Sequence, residues 1–355
     1  MSYRKFSICT RATAAYALAL FSFIGVVYAD GSPDPLFTGE DIIEVRIEAP
    51  FQTLMQDRSI EEEIPAKFQY VNPDGRTIEF DVGLRARGNF RRRVDVCDFT
   101  PLRMNFKKSQ TKDTLFDHQN KLKLVTHCKS SSPRYEQVVL NEYLVYRVFN
   151  ILTDASFRAR LLRVTYVDTD QNNSERISLA FLIERQDRLA KRINTDVLKT
   201  RMVIFPDLNP EHTNLAAVFH YFIGNTDFSP VAAAPGKTCC HNHSLFSNEG
   251  QAIYSIPYDF DMSGFVNAPH ARPSPRLHLR NVRERLYRGR CLNNAYIPGS
   301  VAHFVDRQDE IYALINRQEL LTKASRKAML KFVDQFYKSL DSPKKVAKNL
   351  IEDCV

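Results

Sequence analysis

Hydrophobic and polar positions change rhythm partway along the chain. From 41 to 168 the period is mostly two. DIIEVRIEA (41–49) alternates, while IPAKFQYV (64–71) and RTIEFDVGLRAR (76–87) flank Asn72-Pro73-Asp74-Gly75, a turn signal that predicts a hairpin. PLRMNFKK (101–108) and KLKLVTHC (121–128) predict two further strands, and ARLLRVTYVD (159–168) and RISLAFLIE (176–184) another pair. Between them YEQVVLNEYLVYRVFNIL (135–152) sets Val139, Leu140, Tyr143, Leu144, Val148 and Ile151 at helical spacing. After residue 185 the texture is helical: QDRLAKRI (186–193), HTNLAAVFHYFIG (212–224), AHFVDRQDEIYALI (302–315), RKAMLKFVDQFYKSL (326–340) and PKKVAKNLIEDC (343–354). One β interruption, HSLFS (243–247) with QAIYSIP (251–257), stands among them. The predicted plan is α+β and two-lobed: an antiparallel, β-rich N-lobe with one helix (30–185), then a mainly helical C-lobe with one hairpin (186–355), and a cleft between.

Residues 1–29 predict a signal peptide rather than part of the fold. Arg4, Lys5 and Arg11 precede or open an apolar run, ATAAYALALFSFIGVVYA, and Val27-Tyr28-Ala29 offers a cleavage site after Ala29. The chain is therefore expected to be exported, periplasmic or secreted, and to have no integral membrane domain once cleaved. An uncleaved run would anchor it instead. The formal net charge is +8, three of the bases lie in the leader, and no basic stripe is interleaved with aromatics, so nucleic acid is not an expected partner. Clusters such as Arg91-Arg92-Arg93 read as a solvated face. Beyond Cys9 in the leader, Cys97, Cys128, Cys239, Cys240, Cys291 and Cys354 predict disulfides, with adjacent Cys239 and Cys240 facing different partners, Cys291 being a candidate for one.

The stretch IPYDFDMSGF (256–265) carries the candidate chemistry. Asp259 and Asp261 flank Phe260, so in an extended segment both acids point one way, an arrangement that is costly unless a cation sits between them. The hairpin before them runs out and back, so Asn242 and Asp259 lie side by side at its open end. An amide oxygen and a carboxylate are hard ligands suited to Mg²⁺ or Mn²⁺ holding substrate phosphates. FHYFIGNTDFS delivers Asp227 from the loop leading into the same hairpin. The wiring is that of a phosphoryl-transfer site, with Asp227 accepting a proton from the attacking group, or orienting it, while Asn242 and Asp259 hold the metal.

The same residues resemble the CotH family, secreted or spore-coat proteins with an atypical protein-kinase fold. The resemblance rests on GLRARGNF (83–90), PLRMNFKK (101–108), LNEYLVYRVFNIL (140–152), AFLIERQDRL (180–189), FIGNTDF (222–228) and PYDFDMSGF (257–265). It implies ATP and a divalent metal, with Asp227 as the catalytic-loop aspartate, Asn242 and Asp259 as metal ligands, and Asp261 as the second acid. It also implies nucleotide contacts. Glu142 would pair with a phosphate-binding base, Lys123 first and Arg103 or Lys107 behind it, Arg87 would meet phosphates or brace the sheet, and Glu184 would close the hinge strand. FSPVAAAPGKTCCH is long for such a loop and leaves His241 as a rival to Asn242. Tyr258 stands where the family has tryptophan, and there is no glycine-rich phosphate loop, so charge must hold the nucleotide. The expected function is an ATP- and metal-dependent transferase acting on an envelope or secreted protein, by phosphorylation or by AMP or amino-acid transfer. An inactive binding module of the same fold and a metal-dependent glycosyltransferase using the Asp259–Asp261 pair are the alternatives.

Overall fold

Seven strands alternate well enough to bury one face each: β1 (Ile43–Ala49), β2 (Ile64–Val71), β3 (Thr77–Ala86), β4 (Leu102–Phe106), β5 (Lys121–Val125), β6 (Ala159–Asp168) and β7 (Ser174–Ile183). A computed structural model describes residues 33–72, 74–352 and 354–355. The predicted leader lies outside them. The strands are ordered β1-β2-β3-β4-β5-β7-β6, and β6 then pairs in parallel with β1, Ile43 opposite Leu162 and Ala49 opposite Asp168. That pairing closes the sheet into a barrel of mixed direction. The expected antiparallel N-lobe, and with it the two-lobed protein-kinase-like fold, is thereby corrected.

The closure has a packing cause. Phe68, Tyr70, Phe80, Phe106 and Phe116 meet inside the barrel, and the Phe116 ring lies 5.0 Å from Phe68 and 5.1 Å from Tyr70. An open sheet would leave this aromatic cluster wet, whereas a closed one surrounds it. Short helices α1 (Pro35–Thr38), α2 (Phe51–Asp57) and α3 (Lys108–Thr111) decorate this half; Leu36, Phe37, Phe51 and Leu54 from the first two join the barrel core.

Two of these strands bury their second face as well over part of their length, β7 as the unbroken apolar run LAFLI (179–183). On β6 and β7, Leu162, Val164, Ala180 and Leu182 face the barrel core, whereas Leu161, Leu179, Phe181 and Ile183 belong to a second core. The long helix α4 (Arg134–Leu152) packs on that outer face and is buried along most of its length. Beyond it come α5 (Gln186–Arg192), β8 (Asp196–Leu198), α6 (Pro210–Ile223), β9 (His243–Ser247), β10 (Tyr254–Pro257), α7 (Ile297–Asp306), α8 (Gln308–Arg317), α9 (Lys323–Ser339) and α10 (Pro343–Val346). The expected hairpin is β9–β10, and β8 adds a third strand beside β9. The single helix expected over 302–315 is two, α7 and α8, broken at Arg307.

Cys97 pairs with Cys128 and Cys291 with Cys354, while Cys239 and Cys240 pair with each other, a correction to the expectation that they face different partners. Three cysteine pairs at bonding distance suit an oxidising compartment. Among the described residues no helix is long and apolar enough to cross a membrane.

Phe116 is fully buried, so Phe116→Ala is expected to cost about 3–5 kcal/mol in urea unfolding, from lost burial and the cavity left behind. A loss below about 1 kcal/mol would mean that the barrel interior is not packed around this ring.

Candidate functional site

The site begins where β9 and β10 part. Pro257 pairs with His243, and one residue further out the Tyr258 N–H donates to the Asn242 carbonyl at 2.9 Å. Asn242 thus faces Tyr258 at the hairpin's open end and Asp259 follows one residue on; Asn242 and Asp259 both adopt left-handed backbone, φ 55° and 64°. Helix α6 ends at Gly224 with φ 63°, and the turn that follows carries Asp227 to the same place. The Asn242 side-chain amide donates to the Asp227 carbonyl at 2.7 Å and to its carboxylate at 3.1 Å. Two acceptors facing one amide fix its nitrogen on that side and turn its oxygen away. His241 lies 2.7 Å from the other Asp227 oxygen, and this hydrogen bond raises the His241 pKa. Of the two rivals, His241 is thus bonded to Asp227, while Asn242 keeps an amide oxygen for another partner.

Next to this group the barrel presents cations and the helical half presents acids. Asp259 is half-buried, and its N–H donates to the Tyr146 hydroxyl at 3.0 Å. Among the described residues no hydrogen bond reaches its carboxylate oxygens. Burial, reinforced by the charge of Asp261, raises its pKa against the pull of Arg87 and Lys123. Lys123 sits on β5 with its ammonium 4.5 Å from the Tyr258 ring centre. Burial and the like charge of Arg87 lower it to about 8, opposed by Asp259. Arg87, just past β3, is lowered by burial, with Asp259 again opposing.

Glu142 projects from α4 into the same volume and is 2% exposed. Burial and Asp261 raise its pKa, and its Oε2 has no hydrogen-bond partner. The ion pair it forms is with Arg91 at 3.8 Å rather than with Lys123. Asp261 has its own support. Burial alone would raise it, but His270 at 3.4 Å, together with Arg91, outweighs that and holds it low. Arg91, Tyr146 and His270 are the site residues that the sequence reading missed. For Arg91 a signal existed, since its cluster follows Arg87 closely in ARGNFRRR.

Beside Lys123 opens a cleft of about 590 Å³ lined by Arg103, Lys121, Lys123, Arg185 and Lys199 among others. Arg103 and Lys123 are cross-strand partners on β4 and β5, which brings two cations onto one wall. Lys107 lies apart, 3.6 Å from Asp81. Glu184 lines the cleft too, but its carboxylate is bonded to Arg192 at 2.9 Å and to the Arg158 N–H at 3.0 Å. It supports the wall and has little left to offer a ligand.

Among the described residues no group of three or more His, Cys, Asp or Glu side chains could hold a metal ion. A site with few protein ligands is the habit of Mg²⁺, which keeps water and phosphate oxygens in its shell. Asp259 with the Asn242 amide oxygen fits that donor set, because neither oxygen is spent on a hydrogen bond. Comparison of the chain with protein-family models, with curated proteins and with solved structures finds no match.

Lys123 reports on the cluster directly. A ¹³C-methylated Lys123 followed by NMR is expected to titrate near 8; Asp259→Asn should move the midpoint down and Arg87→Ala should move it up. A midpoint near the ordinary lysine value of about 10.4 that neither substitution shifts would contradict the arrangement.

Proposed function

We propose that the chain binds a nucleoside polyphosphate with a divalent cation in the cleft beside Lys123 and transfers a phosphoryl or nucleotidyl group to a hydroxyl of an exported protein. The observation that carries this is the half-buried Asp259 carboxylate, free of hydrogen bonds and under the charges of Arg87 and Lys123, the latter of which also lines a basic cleft. Lys123 and Arg103 would engage phosphate oxygens, with Arg185, Lys121 and Lys199 along the wall. Asp259 and Asn242 would hold Mg²⁺ or Mn²⁺. When bound, that cation would offset charge on the phosphate oxygens during transfer. Asp227, its carboxylate steadied by His241 and Asn242, would take the proton of the attacking hydroxyl. The motif-level resemblance to CotH proteins supports the same residues in these roles, independently of the fold. Three disulfides and the leader-like start favour an acceptor in the envelope or outside the cell.

Binding without turnover is the second reading. It is favoured by the engagement of both Asp227 carboxylate oxygens, which leaves that group less free to accept a proton. The nucleotide-sugar reading expected a parallel α/β domain ahead of Asp259, and the mostly antiparallel barrel weighs against it.

Calorimetry on the oxidised full chain should detect Mn²⁺-dependent nucleotide binding. Lys123 is charged below about 8 and neutral above it, so affinity should fall as pH rises from about 7 to about 9. Lys123→Ala should remove that dependence and weaken binding by at least tenfold, about the worth of a charge-assisted hydrogen bond. Asp259→Ala should abolish the metal-dependent part alone. Equal, metal-independent binding by wild type and Asp259→Ala would overturn the proposal. Phosphate release or acceptor labelling lost in Asp227→Asn would separate turnover from mere binding.

A further inference from the structure

Behind Asp227 the protein interior holds an unusual run of polar side chains. Asn225, His220, His243 and Ser255 are each no more than 3% exposed, and His220, His243 and Ser255 line a small cavity that Phe228, Ala216 and Arg288 also line. The Phe228 ring stacks on His220 with centres 3.7 Å apart. Each polar group in the run contacts the next at hydrogen-bonding distance. Their directions can be settled one after another, because a backbone N–H can only donate and a carbonyl can only accept.

The Asp227 N–H donates to the Asn225 amide oxygen at 2.9 Å, so the Asn225 nitrogen must be the atom facing His220 Nδ1 at 3.2 Å. His220 Nδ1 is therefore an acceptor, and the proton of the neutral ring sits on Nε2. That proton points at His243 Nε2, 3.0 Å away, which must accept it. His243 then carries its own proton on Nδ1 and donates to Ser255, whose Oγ is 3.0 Å distant and whose carbonyl is 3.2 Å distant. The Ser255 hydroxyl in turn donates to the Pro230 carbonyl at 3.0 Å. Every link has one proton, and every proton has one direction.

We propose that His220 and His243, through Asn225, are positioning residues for Asp227: two neutral imidazoles of opposite tautomer that lock the turn bearing this carboxylate onto β9 and β10. The chain ties three separate pieces together, the end of α6, the turn at 225–227 and the hairpin that carries Asn242 and Asp259. It reaches Asp227 through its backbone, whereas His241 and Asn242 hold its carboxylate. Burying so many polar groups is tolerable only because each is satisfied, and a run of this kind gives one geometry rather than several. The inference rests on the reading of Asp227 as the proton acceptor given above.

Two measurements on the full oxidised chain test it. Long-range ¹H–¹⁵N NMR at neutral pH should show His220 protonated on Nε2 and His243 on Nδ1, with His220→Gln and His243→Gln used only to assign the signals. Finding the same tautomer on both rings, or an imidazolium on either, would overturn the chain. Asn225→Asp keeps an oxygen for the Asp227 N–H but cannot donate to His220. It should lower kcat for transfer by about 100-fold, as when a reacting group is displaced by an ångström, while leaving the nucleotide KM unchanged. A folded Asn225→Asp protein with wild-type kcat would also overturn the proposal. If the wild type shows no transfer at all, the reading of Asp227 fails, yet the imidazole spectrum still decides whether the ordered chain exists.

Discussion

Poorly solvated charge at the junction of barrel and helices is the constraint that organises this protein. Arg87, Arg91 and Lys123 come from the barrel half; Glu142, Asp259 and Asp261 come from α4 and from the stretch after β10. Taking such groups from water costs several kcal/mol each, and mutual attraction repays this only where geometry is close and every donor is matched. Here the matching is incomplete: Glu142 Oε2 and the Nε atoms of Arg87 and Arg91 have no hydrogen-bond partner. Tyr146 and His270 brace the acids, but the Asp259 carboxylate is left to electrostatics alone. A cluster of this kind has charge and hydrogen-bonding capacity to spare, and a polyanion accompanied by a divalent cation would use both.

The barrel makes that junction rigid. Because β6 closes onto β1 and also presents a second apolar face to α4, the same strands enclose one core and found the other. Lys123 and Arg103 stand on neighbouring strands of the closed wall, so their spacing is set by backbone pairing rather than by a loop. On the opposite side, Tyr146 ties α4 to the backbone of Asp259, and the fully buried Phe260 packs its ring 4.8 Å from that of Tyr146. Phe260 thus explains the paired acids on either side of it. It anchors the segment in the core and leaves Asp259 and Asp261 in the charged volume.

Much of this was legible in the residue pattern, for reasons of periodicity. Alternation located β2, β6 and β9 at their observed limits, and helical spacing located α4 and α6 to within a few residues. The hairpin register set Asn242 opposite Tyr258, one residue before Asp259, and the loop after α6 brought Asp227 onto the Asn242 amide. What alternation cannot reveal is the neighbour of an edge strand. A period of two assigns side chains to faces but says nothing about whether β1 meets β6, so barrel closure stayed hidden and an antiparallel lobe was expected. Arg91 was likewise misread, since a run of arginines looks the same whether solvated or turned inward, and only the fold shows it facing Glu142. The pairing of Cys239 with Cys240 and the bond between His241 and Asp227 depend on the path of the loop between 228 and 242, which no periodicity describes.

The central claim is that a divalent cation and a polyphosphate meet between Asp259 and Lys123. Crystals grown with Mn²⁺ and a non-hydrolysable nucleotide, measured at the manganese absorption edge, test it most directly. The account predicts an anomalous peak within bonding distance of the Asp259 carboxylate and the Asn242 amide oxygen, with phosphate density against Lys123 and Arg103. Ordered nucleotide elsewhere on the molecule, or a well-defined cleft with no manganese at Asp259, would contradict it.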